Sequence, residues 1–282
     1  MLDPTSPIGI VAGGGGVVPE LLQSLNRNNQ PYKVAAIFNE TDFDVSNDNT
    51  RVFKWGEIGK IINYFKDNNC ERLILLGHIR QRPDFRSIIG DPGTLIRVPK
   101  LVKALKGGDD SVLRNIIKLI ETENFRVIGL QDAAPDLLCP SGLVGKHTFS
   151  KDLDDDLVRA KSALRELGKH DIGQALVMIG GRIVAVEGAE GTDNMLQRIV
   201  ELRGSGRLSE KAARGFLLKG AKLGQDLRVD LPTVGPQTVR MASKAGLSGI
   251  VVEADKVILL HKSQTRDILD REGLFLIGDG EF

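Results

Sequence analysis

Apolar residues follow two rhythms along this chain, and its first half alternates between them. "IGIVA" (8–12), "KVAAIF" (33–38), "RLILLG" (72–77) and "FRVIGL" (125–130) are short continuous apolar runs, the pattern of strands buried on both faces. Between them, "VVPELLQSL" (17–25) and "GEIGKIINYFKDNN" (56–69) repeat at helical spacing. The second puts Ile58, Ile61, Ile62 and Phe65 on one face. Pro19 fits such a helix only in its first turn. "TLIRVPKLVKAL" (94–105) and "DSVLRNIIKLIETE" (110–123) predict two more helices, the second starting at an aspartate cap. Strand–helix–strand alternation at these lengths implies right-handed crossovers and a mainly parallel sheet. Ligands of such sheets bind beyond the carboxyl ends of the strands, where "GGGG" (13–16) and "GHIRQRP" (77–83) fall.

The texture then changes. "DAAPDLLCPSGLVGKHTFSKDLDDD" (132–156) mixes Pro, Gly, Ser and acids and reads as a linker, with a boundary near 148. Beyond it, "DDLVRAKSALRELG" predicts a helix. "ALVMIGGRIVAVEG" predicts a hairpin turning at Gly180-Gly181. A helix ("TDNMLQRIVELRG"), a strand ("GFLLKGAK", 215–222), a helix ("VGPQTVRMASKAG"), two strands ("GIVVEA", "KVILL") and a closing helix–strand pair follow. The expected architecture is α/β throughout. A Rossmann-like, mainly parallel domain spans 1–148, and a mixed α/β domain spans 149–282.

Composition removes several classes of function. Lys and Arg number 38 against 37 Asp and Glu, so no basic surface excess marks a nucleic-acid binder. Aromatic residues make up 5%, too few for base-stacking platforms. No run approaches the ~18 apolar residues of a membrane span. "MLDPTSP" carries an acid and two prolines where a signal peptide would be basic and then apolar. Cys70 and Cys139 lie far apart without CxxC spacing, so neither a metal site nor a disulfide framework is expected, and a cytoplasmic location is.

The candidate chemistry lies in polar groups at strand ends. Gly13, Gly14 and Gly15 open the first strand–helix turn, but the third glycine of a GxGxxG fingerprint is replaced by Val18. Three readings stand: a loop contacting phosphate or sugar, a dinucleotide site with Glu40 as its acid, or a tight structural turn. Arg80 and Arg82, beside His78, are either a phosphate clamp or solvated. "GGDD" (107–110) is a helix cap or a cation site, and "DLDDD" (152–156) a solvated charge run. In the second half, "AVEGAEGTDNM" (185–195) gathers Glu187, Glu190, Thr192 and Asp193 at a strand–helix junction. A carboxylate ending an apolar strand needs a cation. "GQDLRVDLPTVG" (224–235) alternates Asp226, Arg228 and Asp230. In an extended segment these share one face, either as a Mg²⁺ and phosphate site or as a salt-bridged edge strand.

Taken in order, "GIVAGGGGVVPELL", "GEIGK", "GHIRQRP", "GGDD", "DIGQALVMIGGRIVAVEGAEGTDNML" and "GQDLRVDLPTVGPQTV" resemble the LpxI-type UDP-2,3-diacylglucosamine pyrophosphatases of lipid A biosynthesis, over essentially the whole chain. "EGAEGTD" and "QDLRVDLPTVG" are the most specific blocks. The resemblance implies a two-domain hydrolase that uses Mg²⁺, and the oxygen-rich candidate ligands without a His/Cys cluster point to Mg²⁺ or Mn²⁺. It would cut UDP-2,3-diacylglucosamine to UMP and 2,3-diacylglucosamine 1-phosphate, with its site between the domains and an apolar chamber for the acyl chains.

On that reading Asp226, Arg228 and Asp230 are catalytic, and Asp226, Asp230, Glu187 and Glu190 supply metal ligands. Gly13, Gly14, Gly15, Arg82, Thr192, Asp193 and Gln225 bind phosphate or substrate. The expected partners are the nucleotide-sugar lipid, the inner membrane by peripheral contact and a second copy in a homodimer, with no nucleic acid. The rival readings are a nucleotide-sugar oxidoreductase with a dinucleotide cofactor and a non-catalytic nucleotide- or lipid-binding protein.

Overall fold

The first strand, β1 (Ile8–Ala12), lies at the centre of a five-stranded sheet. It is followed by α1 (Val17–Arg27), β2 (Tyr32–Ile37), β3 (Thr50–Phe53), α2 (Ile58–Asp67), β4 (Arg72–Leu76), α3 (Asp109–Glu121), β5 (Arg126–Val127) and the short α4 (Leu130–Ala133). Residues 5–79, 94, 109–209 and 215–282 are described in this computed structural model. The strand order is β3-β2-β1-β4-β5 with every pairing parallel, so the expected Rossmann-like sheet is present. The helix expected over 94–105 lies outside the described residues, Thr94 excepted.

Two differences from the sequence reading have local causes. β3 is a short edge strand with Arg51 and Val52 exposed, so it carries no apolar run to announce it. "FRVIGL" is strand only at Arg126–Val127, because Asp132 Oδ2 accepts the Gly129 N–H at 3.0 Å and starts α4. The face predicted for α2 is largely correct. Phe65 is fully buried and meets Phe125 edge-on at 6.4 Å, beside Ile61 and Leu73. Truncating such a residue to alanine costs about 3–5 kcal/mol.

The second sheet has the order β6-β13-β11-β9-β7-β8. Its elements are β6 (Gly142–Val144), α5 (Asp154–Lys169), β7 (Ala175–Ile179), β8 (Arg182–Val186), α6 (Gly191–Gly204), β9 (Phe216–Lys219), β10 (Thr233–Val234), α7 (Pro236–Lys244), β11 (Gly249–Glu253), β12 (Ile258–Leu259), α8 (Lys262–Glu272) and β13 (Phe275–Asp279). β13, β11 and β9 are parallel, while β6, β7 and β8 join antiparallel, giving the expected mixed sheet. The β7–β8 hairpin turns at Gly180 and Gly181, both at positive φ, as two-residue loops require. "KVILL" is strand only at Ile258–Leu259, paired with β10 outside the main sheet.

The segment expected to be a linker is largely structured. β6 pairs with β13, and the acidic run enters α5, with Asp154, Asp155 and Asp156 in its first turn where the helix dipole favours anions. Asp156 Oδ2 also accepts the Gly181 N–H at 3.0 Å.

By contacts the chain divides into a first unit, 1–135 with Asp226–Asp230, and a second, 136–225 with 231–282. The core of the second covers both faces of its sheet. Leu217, Ile250 and Val252 are buried on one side, and Phe216, Leu218 and Val251 on the other.

Candidate active site

The glycine loop of the first unit packs against protein backbone. Gly13 N–H donates to Leu76 O at 2.9 Å, and Gly14 and His78 exchange backbone bonds at 3.0 and 2.9 Å. A Cβ at Gly13 would stand 2.4 Å from His78 O, and one at Gly14 would stand 2.5 Å from Glu40 O. Gly15 sits at φ +101°, and its N–H donates to Asp42 Oδ1 at 2.8 Å. Three chain segments therefore meet at bare backbone beyond β1, and a protein carboxylate takes one N–H of the kind that greets anions at helix starts. The α1 start has no side-chain cap. Arg82, Arg80 and Gly107-Gly108 of "GGDD" lie outside the described residues, and Asp109 and Asp110 open α3.

The Asp-x-Arg-x-Asp stripe is a turn, not an extended strand. Val229 and Asp230 N–H groups both donate to Asp226 O, at 3.1 and 3.2 Å, which curls the segment into a helical turn. Alternation therefore does not place its side chains. Asp226 and Arg228 still meet: Nε to Oδ1 at 2.9 Å, Nη2 to Oδ2 at 2.7 Å, and Arg228 N to Oδ1 at 3.1 Å. Arg228 Nη1 also donates to Glu121 Oε1 at 3.1 Å, at the end of α3. The hydrogen-bonded guanidinium holds the Asp226 carboxyl below its ordinary range, and Asp226 in turn raises Arg228. In the second unit, Gln225 is buried, and its Oε1 accepts the Lys222 N–H at 2.8 Å.

The second unit holds an open pocket of about 370 Å³ at the carboxyl end of β9, lined by Glu187, Glu190, Thr192, Asp193, Lys219 and Thr238 among others. Glu187 is buried, with Oε2 accepting Gln174 N–H at 3.0 Å and Oε1 accepting the Thr192 hydroxyl at 2.6 Å. The cation such a carboxylate needs is one relay away, since Lys219 Nζ donates to Thr192 Oγ1 at 2.7 Å. Asp193 lies on the exposed rim. Desolvation raises its carboxyl above the ordinary range, with Lys219 opposing and Glu187 adding. Glu190 is tied to Arg198 at 3.2 Å.

The structure thus gathers Glu187, Glu190, Thr192 and Asp193, and it joins Asp226 to Arg228. Sequence reasoning missed Lys219, Glu121 and Asp42. Lys219 carried a signal: it ends the apolar run "GFLLK", the same anomaly that marked Glu187. Glu121 and Asp42 carried none.

Cys70 and Cys139 are buried free thiols, pushed up by burial to about 11 and about 12. Among the described residues no group of three or more His, Cys, Asp and Glu could hold a metal ion. Mg²⁺ does not demand such a cage, because it keeps several waters and is held by one or two carboxylates plus substrate phosphates. Oxygen-only donors such as Glu190 and Asp193 fit that coordination, whereas both Glu187 oxygens already accept protein donors.

A Rossmann-like parallel unit and a mixed α/β unit define a two-unit α/β protein, and each unit carries carboxylates paired with a basic side chain. The chain belongs to the LpxI family: the LpxI N-terminal domain matches residues 7–137 and the LpxI C-terminal domain residues 140–277. It is 32% identical over 271 residues to the UDP-2,3-diacylglucosamine pyrophosphatase LpxI of Caulobacter vibrioides, an alignment spanning 96% of each chain. A solved short chain dehydrogenase family protein from Francisella tularensis aligns with 60% of this chain and 66% of its own at 17% identity. Its TM-score is 0.25, too loose an overlap to define a shared fold.

Proposed function

We propose that this protein hydrolyses the pyrophosphate bond of UDP-2,3-diacylglucosamine, giving UMP and 2,3-diacylglucosamine 1-phosphate in lipid A biosynthesis. The observation that carries the reading is the full-length agreement with the Caulobacter pyrophosphatase, 32% identical across 96% of both chains. It is supported by polar groups suited to a phosphorus anhydride, arginine and lysine set among carboxylates.

Arg228 is held on two sides by Asp226 and Glu121, so its guanidinium is oriented before substrate arrives and can neutralise phosphate charge. Asp226 is ionised throughout the neutral range and is a weakened base. Its part is to hold and orient rather than to store a proton. Asp230 shares its turn. Gly13, Gly14, Gly15, Arg82, Gln225, Thr192 and Asp193 remain the proposed substrate contacts.

The proposed cofactor is Mg²⁺, with Mn²⁺ as substitute. The proposed ligands are Asp226, Asp230, Glu187 and Glu190, completed by water and phosphate oxygens, with Glu187 giving up one of its present donors, the Gln174 N–H or the Thr192 hydroxyl, to join them. When bound it supplies charge neutralisation at the phosphoryl oxygens and acidifies a coordinated water. Among the described residues no helix is long and apolar enough to cross a membrane. We further propose a cytoplasmic protein that meets its lipid by peripheral contact with the inner membrane and assembles as a homodimer.

Purified protein incubated with UDP-2,3-diacylglucosamine and Mg²⁺ should release UMP, stop with EDTA and recover on Mg²⁺ addition. No UMP under these conditions overturns the reaction. Full activity after exhaustive chelation overturns the metal.

A further inference from the structure

The pocket of the second unit is organised around a residue with no assigned role. Lys219 is the last residue of β9, where the parallel half of the sheet meets its antiparallel half. It is only 6% exposed, yet its side chain lines an open pocket. A buried ammonium is costly unless compensated, and here the compensation is directional. The Thr192 hydroxyl gives its proton to Glu187 Oε1 and accepts from Lys219 Nζ on its lone-pair side. Glu187 is itself fixed by the Gln174 N–H. The chain Lys219→Thr192→Glu187 therefore fixes where the ammonium sits.

Two further features make the pocket suited to an anion. The first turn of α6 supplies Thr192 and Asp193, and the first turn of α7 supplies Thr238, so the positive ends of a 14-residue and a 9-residue helix both reach it. The carboxylates at the mouth, Glu190 and Asp193, favour an anion that arrives with a divalent cation. A magnesium-complexed pyrophosphate has both properties.

We propose that Lys219 is the phosphate-binding lysine of the second unit, positioned by Thr192 and Glu187, and that its ligand is a pyrophosphoryl group carried as the magnesium complex. The assignment deepens the pyrophosphatase reading and rests on it for the identity of the ligand. It changes the part of Thr192. With its proton committed to Glu187, that hydroxyl is a positioning group and not a donor to substrate.

The test is calorimetric titration of the full chain with inorganic pyrophosphate in excess Mg²⁺. Wild type should bind, and Lys219→Met should bind at least about tenfold more weakly, the loss of one charge-assisted hydrogen bond. Thr192→Val should weaken binding by about threefold or more, and Thr192→Ser should restore it to within about twofold, because serine keeps the relay hydroxyl. A purely structural Thr192 would shift melting temperature without this split. If Lys219→Met does not fold, the Thr192→Val and Thr192→Ser pair decides. Equal pyrophosphate affinity in wild type and a folded Lys219→Met or Thr192→Val, or no binding by wild type, overturns the proposal. Turnover of UDP-2,3-diacylglucosamine is measured in parallel. If wild type releases no UMP but Lys219→Met still loses pyrophosphate, the reaction assignment fails and the lysine site stands.

Discussion

Asp226 and Arg228, two positions apart, face each other through both carboxylate oxygens: Nε to Oδ1 at 2.9 Å and Nη2 to Oδ2 at 2.7 Å. The turn carbonyl of Asp226 brings them together by accepting the N–H groups of Val229 and Asp230. Glu121 takes the remaining arm of the guanidinium, so the arginine is fixed from two directions.

This pairing separates the roles of its two members. If Asp226 holds the metal or attacking water, its contribution grows as charge develops, and Asp226→Ala should lose at least about a hundredfold in kcat, ~3 kcal/mol of transition-state stabilisation, with KM little changed. Arg228→Ala should weaken substrate binding as well, since a phosphate clamp acts in both states. Steady-state kinetics on variants shown folded by circular dichroism will decide. Wild-type turnover by folded Asp226→Ala would reduce the pair to a structural ion pair.

The same pairing predicts an acid limb. Arg228 lowers the Asp226 pKa in the folded protein below its ordinary 3.8. The stability this confers is fully present above that ordinary value and is lost as pH falls through the folded one. Asp226→Asn should therefore be less stable than wild type at pH 6, and the gap should narrow below pH about 4. Urea midpoints measured across that range test the sign.

Gly13 decides between two accounts of the glycine run. Its Cβ would lie 2.4 Å from His78 O, a backbone atom that cannot swing aside. Gly13→Ala should destabilise the ligand-free protein by about 1–3 kcal/mol, as overpacking does. An unchanged melting temperature with weakened substrate binding would instead make the glycine a ligand cradle only.

The two thiols should be silent. With Cys70 pushed up to about 11 and Cys139 to about 12 by burial, about a thousandth of Cys70 or less is thiolate at pH 8. Native protein should show no rapid reaction with an aromatic disulfide reagent, and denatured protein should show two thiols. Rapid loss of activity on alkylation at neutral pH would contradict this.

Much of the architecture was legible because buried strands and amphipathic helices write their burial into the order of residues. "IGIVA", "KVAAIF" and "RLILLG" read as interior strands and Gly180-Gly181 as a hairpin turn, and the structure has them so. β3 was not legible. An edge strand buries little, and "TRVF" has two exposed residues of four. The acidic run before α5 looked like a linker because helix starts and loops share polar residues.

The candidate site divides in the same way. Its residue types were set by sequence: Glu187 at the end of an apolar run, and Asp226 with Arg228 two positions on. Only tertiary structure decided what each meets. Whether 226–230 is extended or curled depends on backbone bonds that alternation does not encode. Glu121 reaches Arg228 across 107 positions and Asp42 reaches Gly15 across 27. Lys219 reaches Thr192 from a strand 27 residues away. Local pattern reports whether a side chain is buried, because burial follows the period of its own helix or strand. Which charge it finds there is fixed by how separate elements pack, and no period within one element carries that information.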